Sequence, residues 1–195
     1  MPKRVKSNNK KYNKVADFLF EVGMLSKTPR SFSPFLGGGE QSVADHLNRT
    51  SYTAMCLGYM THGVDIDKIV KMALFHDLTE ARISDLNHVH QRYAARDEHK
   101  ALTDLAREIP FGEEIKKIIL EYEKRQTKEA KIVKDADILD FLITLKEVGD
   151  TGNIRAKNWA PKLQSRLKTK EAKMLAKAVL RSKSDSWWFT ASNKK

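Results

Sequence analysis

The apolar run Met72-Ala73-Leu74-Phe75 leads directly into His76-Asp77. With Ile66, Ile69 and Val70 upstream at helical spacing and Asp65 as a cap, this segment predicts a buried helix over 66–80. Such a helix points an imidazole and a carboxylate inward, where unpaired polar groups are costly. The fold must therefore bring polar partners or a cation to one point beside an apolar helix. Candidates are His46, in Ser42-Val43-Ala44-Asp45-His46, and Asp137, in Lys134-Asp135-Ala136-Asp137. Two imidazoles and two carboxylates from three helices suit a divalent cation of intermediate hardness.

The rest of the chain is also helical in pattern, with no convincing strand. Val15, Phe18, Leu19 and Val22 predict a first helix over 13–25, which ends before Pro29 because proline disfavours helical geometry at Thr28. Arg30 to Glu40, with Pro34 and Gly37-Gly38-Gly39, reads as a long irregular loop. Ser42, with Asp45 three residues on, starts a second helix. Further helices are expected over 97–109, 113–125 and 128–148, and after Thr169, and the cluster Trp187-Trp188-Phe189 is expected to dock on the core. At 195 residues and 41% hydrophobic, the chain suits one buried core, an all-α single domain.

The net charge of +11 is unevenly placed. Residues 1–14 hold six Lys/Arg and no acid, and residues 160–195 hold ten Lys/Arg against Glu171 and Asp185, so the middle of the chain is mildly acidic. Basic ends of this kind attract polyanions by counterion release, which keeps nucleic acid as a lesser partner class. No stretch approaches the roughly 20 apolar residues of a membrane span. The basic start lacks an apolar segment behind it, so no signal peptide is expected. The lone Cys56 reads as a small buried residue in a reducing cytoplasm.

Glu80 lies four residues after His76 and three after Asp77, so one helix end gathers all three. A metal held there would acidify a water and polarise a phosphoryl group, with Glu80 placed to manage the proton. His88, His90 and His99 offer material for a second metal.

Taken together, Glu40-Gln41-Ser42-Val43-Ala44-Asp45-His46, Ala73-Leu74-Phe75-His76-Asp77-Leu78-Thr79-Glu80 and Lys134-Asp135-Ala136-Asp137 resemble the HD-domain metal-dependent phosphohydrolases. The likeness is nearest to the small single-domain branch of 5'-deoxynucleotidases and HD-domain-containing relatives. It covers roughly residues 14–150, leaving a basic N-terminal tail, 1–13, and a basic helical extension, 151–195, packed on the core.

The resemblance implies a helical HD-domain bundle in which His46, His76, Asp77 and Asp137 bind a divalent ion: Mn, Co, Fe, Zn, Ni or Mg. It makes Glu80 the catalytic acid or base, Asp85 a catalytic and sugar-contacting carboxylate, and Arg30 a phosphate contact. Asp135 and Asp140 are expected beside the site or exposed.

The implied substrate is a small phosphorylated molecule, most nearly a (deoxy)nucleoside 5'-monophosphate, for a cytoplasmic enzyme with no membrane and a homodimer as a plausible assembly. The alternatives are hydrolysis of a nucleoside triphosphate, alarmone or cyclic nucleotide, or a nucleic-acid-binding protein with a structural metal. The chain departs from the branch at Ser31-Phe32 after Arg30, and at Leu86-Asn87-His88-Val89-His90 after Asp85. Substrate choice is expected to lie in those two loops.

Overall fold

The computed structural model describes residues 3–37 and 40–192. It contains α1 (Lys3–Met24), α2 (Ser33–Leu36), α3 (Val43–Tyr59), α4 (Ile66–Phe75), α5 (Glu80–Ile83), α6 (His90–Tyr93), α7 (Glu98–Glu108), α8 (Gly112–Lys124), α9 (Lys128–Asp150), α10 (Ile154–Leu163), a 3-10 turn (Gln164–Arg166), α11 (Lys170–Arg181) and α12 (Ser186–Ser192). Among the described residues no strand forms, and one antiparallel bridge joins Pro29 to Ser42. The fold is all-α. No helix of the described residues is long and apolar enough to cross a membrane.

Local chemistry sets many of the boundaries. Ser42, Asp65, Asp97, Thr127, Asn153 and Thr169 each accept a hydrogen bond from the backbone N–H three residues on, satisfying a donor that the helix start leaves free. Ser42 and Asp45 form a reciprocal capping box.

α9 is the central element and buries side chains on most of its faces, among them Ile132, Val133, Leu139, Leu142 and Leu145. Leu57 of α3 and Ile69 and Met72 of α4 join them in the larger core cluster, as do Ala156 and Ala160 of α10 and Ala172 and Ala176 of α11. A second cluster gathers Leu25, Leu47, Leu78, Leu102, Leu105, Ile115 and Ile119. Phe75 packs against both. The His76-Asp77 pair therefore emerges from the seam between two apolar clusters.

Several segments differ from the sequence expectation. α1 begins at Lys3, so the segment read as a basic tail is helical where described. The loop after Pro29 contains α2, because Leu36 is buried and Phe32 packs on the core. α10 fills a stretch where no helix was expected. Asn153 caps it, and Ala156, Ala160 and Leu163 form its buried stripe despite Pro161.

The helix predicted over 66–80 stops at Phe75 and resumes at Glu80. Across the break and into α5, Leu78, Glu80 and Arg82 donate to carbonyls three residues back, and His76 Nδ1 donates to the Ala73 carbonyl at 2.8 Å. A side chain competing for that acceptor tightens and ends the α-helix. Cys56 is exposed rather than buried. Trp187, Trp188 and Phe189 are also exposed, at 68%, 66% and 63%, so the aromatic cluster does not dock on the core.

Candidate metal centre

α3, the end of α4 and α9 deliver His46, His76, Asp77 and Asp137 to one point. His46 Nε2 lies 3.3 Å from His76 Nε2, 3.5 Å from Asp77 Oδ2 and 3.4 Å from Asp137 Oδ1. His76 Nε2 lies 3.4 Å from Asp77 Oδ2. Ligands about 2.1 Å from a shared ion stand roughly 3.0–3.4 Å apart in octahedral or tetrahedral geometry. These separations are therefore those of a site that could hold one divalent cation.

The distal nitrogens support the same conclusion. His76 Nδ1 faces the Ala73 carbonyl, which only accepts, so Nδ1 carries the proton and the Nε2 lone pair points to the centre. His46 Nδ1 donates to Asp140 Oδ2 at 2.6 Å, with the same result. Two imidazole lone pairs and two carboxylates aimed at one point repel one another unless a cation joins them. In the metal-free protein a proton takes that role. Burial alone would lower the His46 pKa, but hydrogen bonds to Asp140 and Asp77 raise it from 6.5 to about 9. Burial keeps His76 below its ordinary value. Despite their own desolvation, Asp77 is lowered by His76 and His46, and Asp137 is lowered by Lys134 and His46 to about 2.

The three other residues singled out in the sequence are also gathered here. Arg30 NH1 reaches Asp85 at 3.1 Å, Asp77 at 3.4 Å and Glu80 at 4.0 Å. It is held in place by the pairing of its backbone with Gln41 and of Thr28 with Val43. Asp85 Oδ2 also accepts from the Ser31 backbone N–H at 3.0 Å. It follows Ser84, whose φ of 63° is strained for a residue with a side chain. Glu80 is buried, and its Oε2 has no hydrogen-bond partner among the described residues. Burial, then Asp77 and Asp85, raise its pKa from 4.5 to about 9.

Asp140, expected beside the site or exposed, is fully buried against His46 and also accepts from Arg49 Nε at 2.6 Å, while Arg49 NH1 reaches Glu147 at 2.7 Å. Arg49, Tyr122 and Lys134 were not singled out in the sequence. Tyr122 packs edge-on to His76, with ring centroids 5.0 Å apart, and lies under the Arg125 guanidinium. Lys134 donates to Asp137 Oδ2 at 2.6 Å. The available signal was spacing, since Lys134 and Asp140 stand three residues on either side of Asp137. Asp135 departs from the expectation: its carboxylate turns away to accept from Lys168 N and Thr169 N at the start of α11. Among the described residues, the group able to hold a metal is the one containing His46, His76 and Asp77; His88, His90 and His99 join none.

A family profile described as HD domain matches residues 22–179. The chain is 28% identical over 144 residues to the 5'-deoxynucleotidase hdd1 of Schizosaccharomyces pombe, covering 68% of this chain and 71% of that one. It is 30% identical over 136 residues to the 5'-deoxynucleotidase HDDC2 of Danio rerio, covering 67% of each. Among solved structures it is similar to a conserved hypothetical protein from Pyrococcus furiosus, with a TM-score of 0.71 and 30% identity over 86% of this chain and 99% of that one.

Proposed function

This chain belongs to the HD-domain family, and from that membership we propose that His46, His76, Asp77 and Asp137 hold the divalent ion of a phosphomonoesterase. The chain is a hydrolytic enzyme of the nucleotide phosphohydrolase type. We take its substrate to be a (deoxy)nucleoside 5'-monophosphate, the class named by the 5'-deoxynucleotidases that it resembles. One observation carries the reading: two histidines with their Nδ1 atoms engaged aim both Nε2 atoms at one point, beside an arginine whose side chain is 12% exposed.

A bound divalent ion supplies Lewis acidity toward a phosphoryl oxygen and lowers the pKa of an attacking water. The side chains do the rest. Arg30 offers its guanidinium to the phosphate oxygens from the Asp77 side, where it is already held by Asp85. Glu80 Oε2, buried and without a hydrogen-bond partner among the described residues, holds the proton that leaves the water. Added positive charge beside it favours its carboxylate form, which suits that role. Asp85 keeps Arg30 oriented and, as the resemblance implies, faces the sugar. The fully buried imidazoles and Tyr122 line one wall of the site and keep bulk water from it.

The test is a screen of metal-stripped protein, reloaded with single metals, against nucleotides and deoxynucleotides. Orthophosphate release from a 5'-monophosphate is expected. Release of pyrophosphate or triphosphate would transfer the site to the triphosphate or alarmone reading, and opening of a phosphodiester to the cyclic-nucleotide one. His76→Ala and Asp77→Ala should lose metal and activity together. Full activity in a metal-free His76→Ala protein would overturn the assignment.

A further inference from the structure

Asp137 turns one oxygen toward the imidazoles and the other away. Oδ1 lies 3.4 Å from His46 Nε2. Oδ2 accepts from Lys134 Nζ at 2.6 Å and from Tyr122 Oη at 3.4 Å. Lys134 precedes Asp137 by three residues on α9, so the helix itself sets ammonium beside carboxylate. An ammonium has three N–H donors, and Asp137 occupies one. The Lys134 side chain is 37% exposed and lines a cavity of about 180 Å³ together with His76, Asp77, Glu80 and Asp137. Ordinary small-molecule pockets measure roughly 300–1,000 Å³, so this space fits a phosphate group and water rather than a whole nucleotide.

Charge decides what Lys134 can do there. The two positive charges of a divalent ion are matched by Asp77 and Asp137. A phosphate monoester then adds roughly −1.5 to −2. Arg30 offsets part of this, but Asp85 and Asp77 already share its guanidinium. Two more cations line the cavity. Arg96 is paired with Glu98 at 2.8 Å, and Arg125 is stacked on the Tyr122 ring. Of these three, Lys134 is the one that bonds a proposed metal ligand, Asp137, and it lines the cavity with two N–H donors beyond that bond.

We propose that Lys134 is a second phosphate-binding cation, standing on the Asp137 side of the site as Arg30 stands on the Asp77 side. This rests on the reading above only in requiring that a phosphate group reach the loaded metal site.

Lys134→Met and Lys134→Arg test it by calorimetry. The metal alone is titrated into stripped protein, then orthophosphate into the loaded protein. In Lys134→Met, orthophosphate affinity should fall about tenfold or more, since a charge-assisted hydrogen bond is removed. Metal affinity should hold or tighten, because a positive charge beside a ligand carboxylate has gone. Lys134→Arg should restore orthophosphate binding. Unchanged orthophosphate affinity in Lys134→Met would overturn the proposal, as would failure of the loaded wild-type protein to bind orthophosphate. A tenfold loss of metal affinity with unchanged orthophosphate binding at loaded sites would also overturn it, reducing Lys134 to a brace for Asp137. If the wild type binds orthophosphate but hydrolyses no phosphomonoester, the functional reading fails while this comparison still decides the role of Lys134.

Discussion

Replacing Asp140 with asparagine tests how the metal centre is built without touching a ligand. Asp140 is fully buried; its Oδ2 lies 2.6 Å from His46 Nδ1 and its Oδ1 lies 2.6 Å from Arg49 Nε. Asparagine has the same shape but no charge, so packing is kept and only the charge-assisted bonds are lost. A hydrogen bond to a charged group contributes about 1.5–3 kcal/mol against about 0.5–1.5 for a neutral pair, so the His46 bond weakens by about 1–1.5 kcal/mol. An amide can also present its NH2 to Nδ1, which would shift the proton of His46 to Nε2 and remove the ligand lone pair. Loss of such supporting groups lowers metal affinity by roughly 10- to 100-fold, or about 1.4–2.7 kcal/mol.

The assay is competition with a chromophoric chelator on stripped protein, for wild type, Asp140→Asn and Asp135→Asn. Asp135 is an equally buried carboxylate on the same helix, but it serves the start of α11. Its asparagine variant should unfold at a lower temperature and keep wild-type metal affinity. An Asp140→Asn affinity within threefold of wild type would refute the reasoning.

Three more outcomes follow from the same structure. In metal-stripped protein the raised pKa of His46, about 9, gives a stabilisation that is complete below 6.5 and fades as pH climbs through 9. Glu80, whose proton is held up to about 9 against an ordinary 4.5, penalises folding in the same direction; melting temperature should fall from pH 6.5 to 9, and less so in Glu80→Gln, whereas a flat profile would contradict both shifts. Gly112→Ala places a Cβ 2.0 Å from the Ala106 carbonyl oxygen, and chemical denaturation should show a loss of about 1–3 kcal/mol or more as backbone shifts to relieve it. Ser84→Gly relieves the positive φ before Asp85 and should raise stability by about 1 kcal/mol, read by the same denaturation.

Much of the centre was legible because its ligands lie on or beside helices with clear apolar periodicity. His46 follows a capping box, His76-Asp77 ends an apolar run, and Asp137 directly follows Ala136 on the helix that buries Ile132, Ala136 and Leu139. Asp135 and Asp140 could not be told apart in this way. Both are buried carboxylates near Asp137, and only the packing of α11 against α9 and of α3 against α9 assigns them different partners. α10 and α2 escaped notice because both contain a proline and depend on burial against the core, and propensity alone does not report such burial.

The sequence by itself determined an all-helical chain with imidazoles and carboxylates at positions that must face inward, since periodicity and capping act within a few residues. The tertiary structure alone decided which polar groups meet. Arg30 reaches Asp77, Asp140 holds His46, and Lys134 shares Asp137 with Tyr122. The Arg30 and Asp140 contacts, like that of Tyr122, join separate elements. Their geometry comes from the seam between two apolar clusters, where Phe75 and Leu78 anchor the turn between α4 and α5 and aim His76 and Asp77 at their partners.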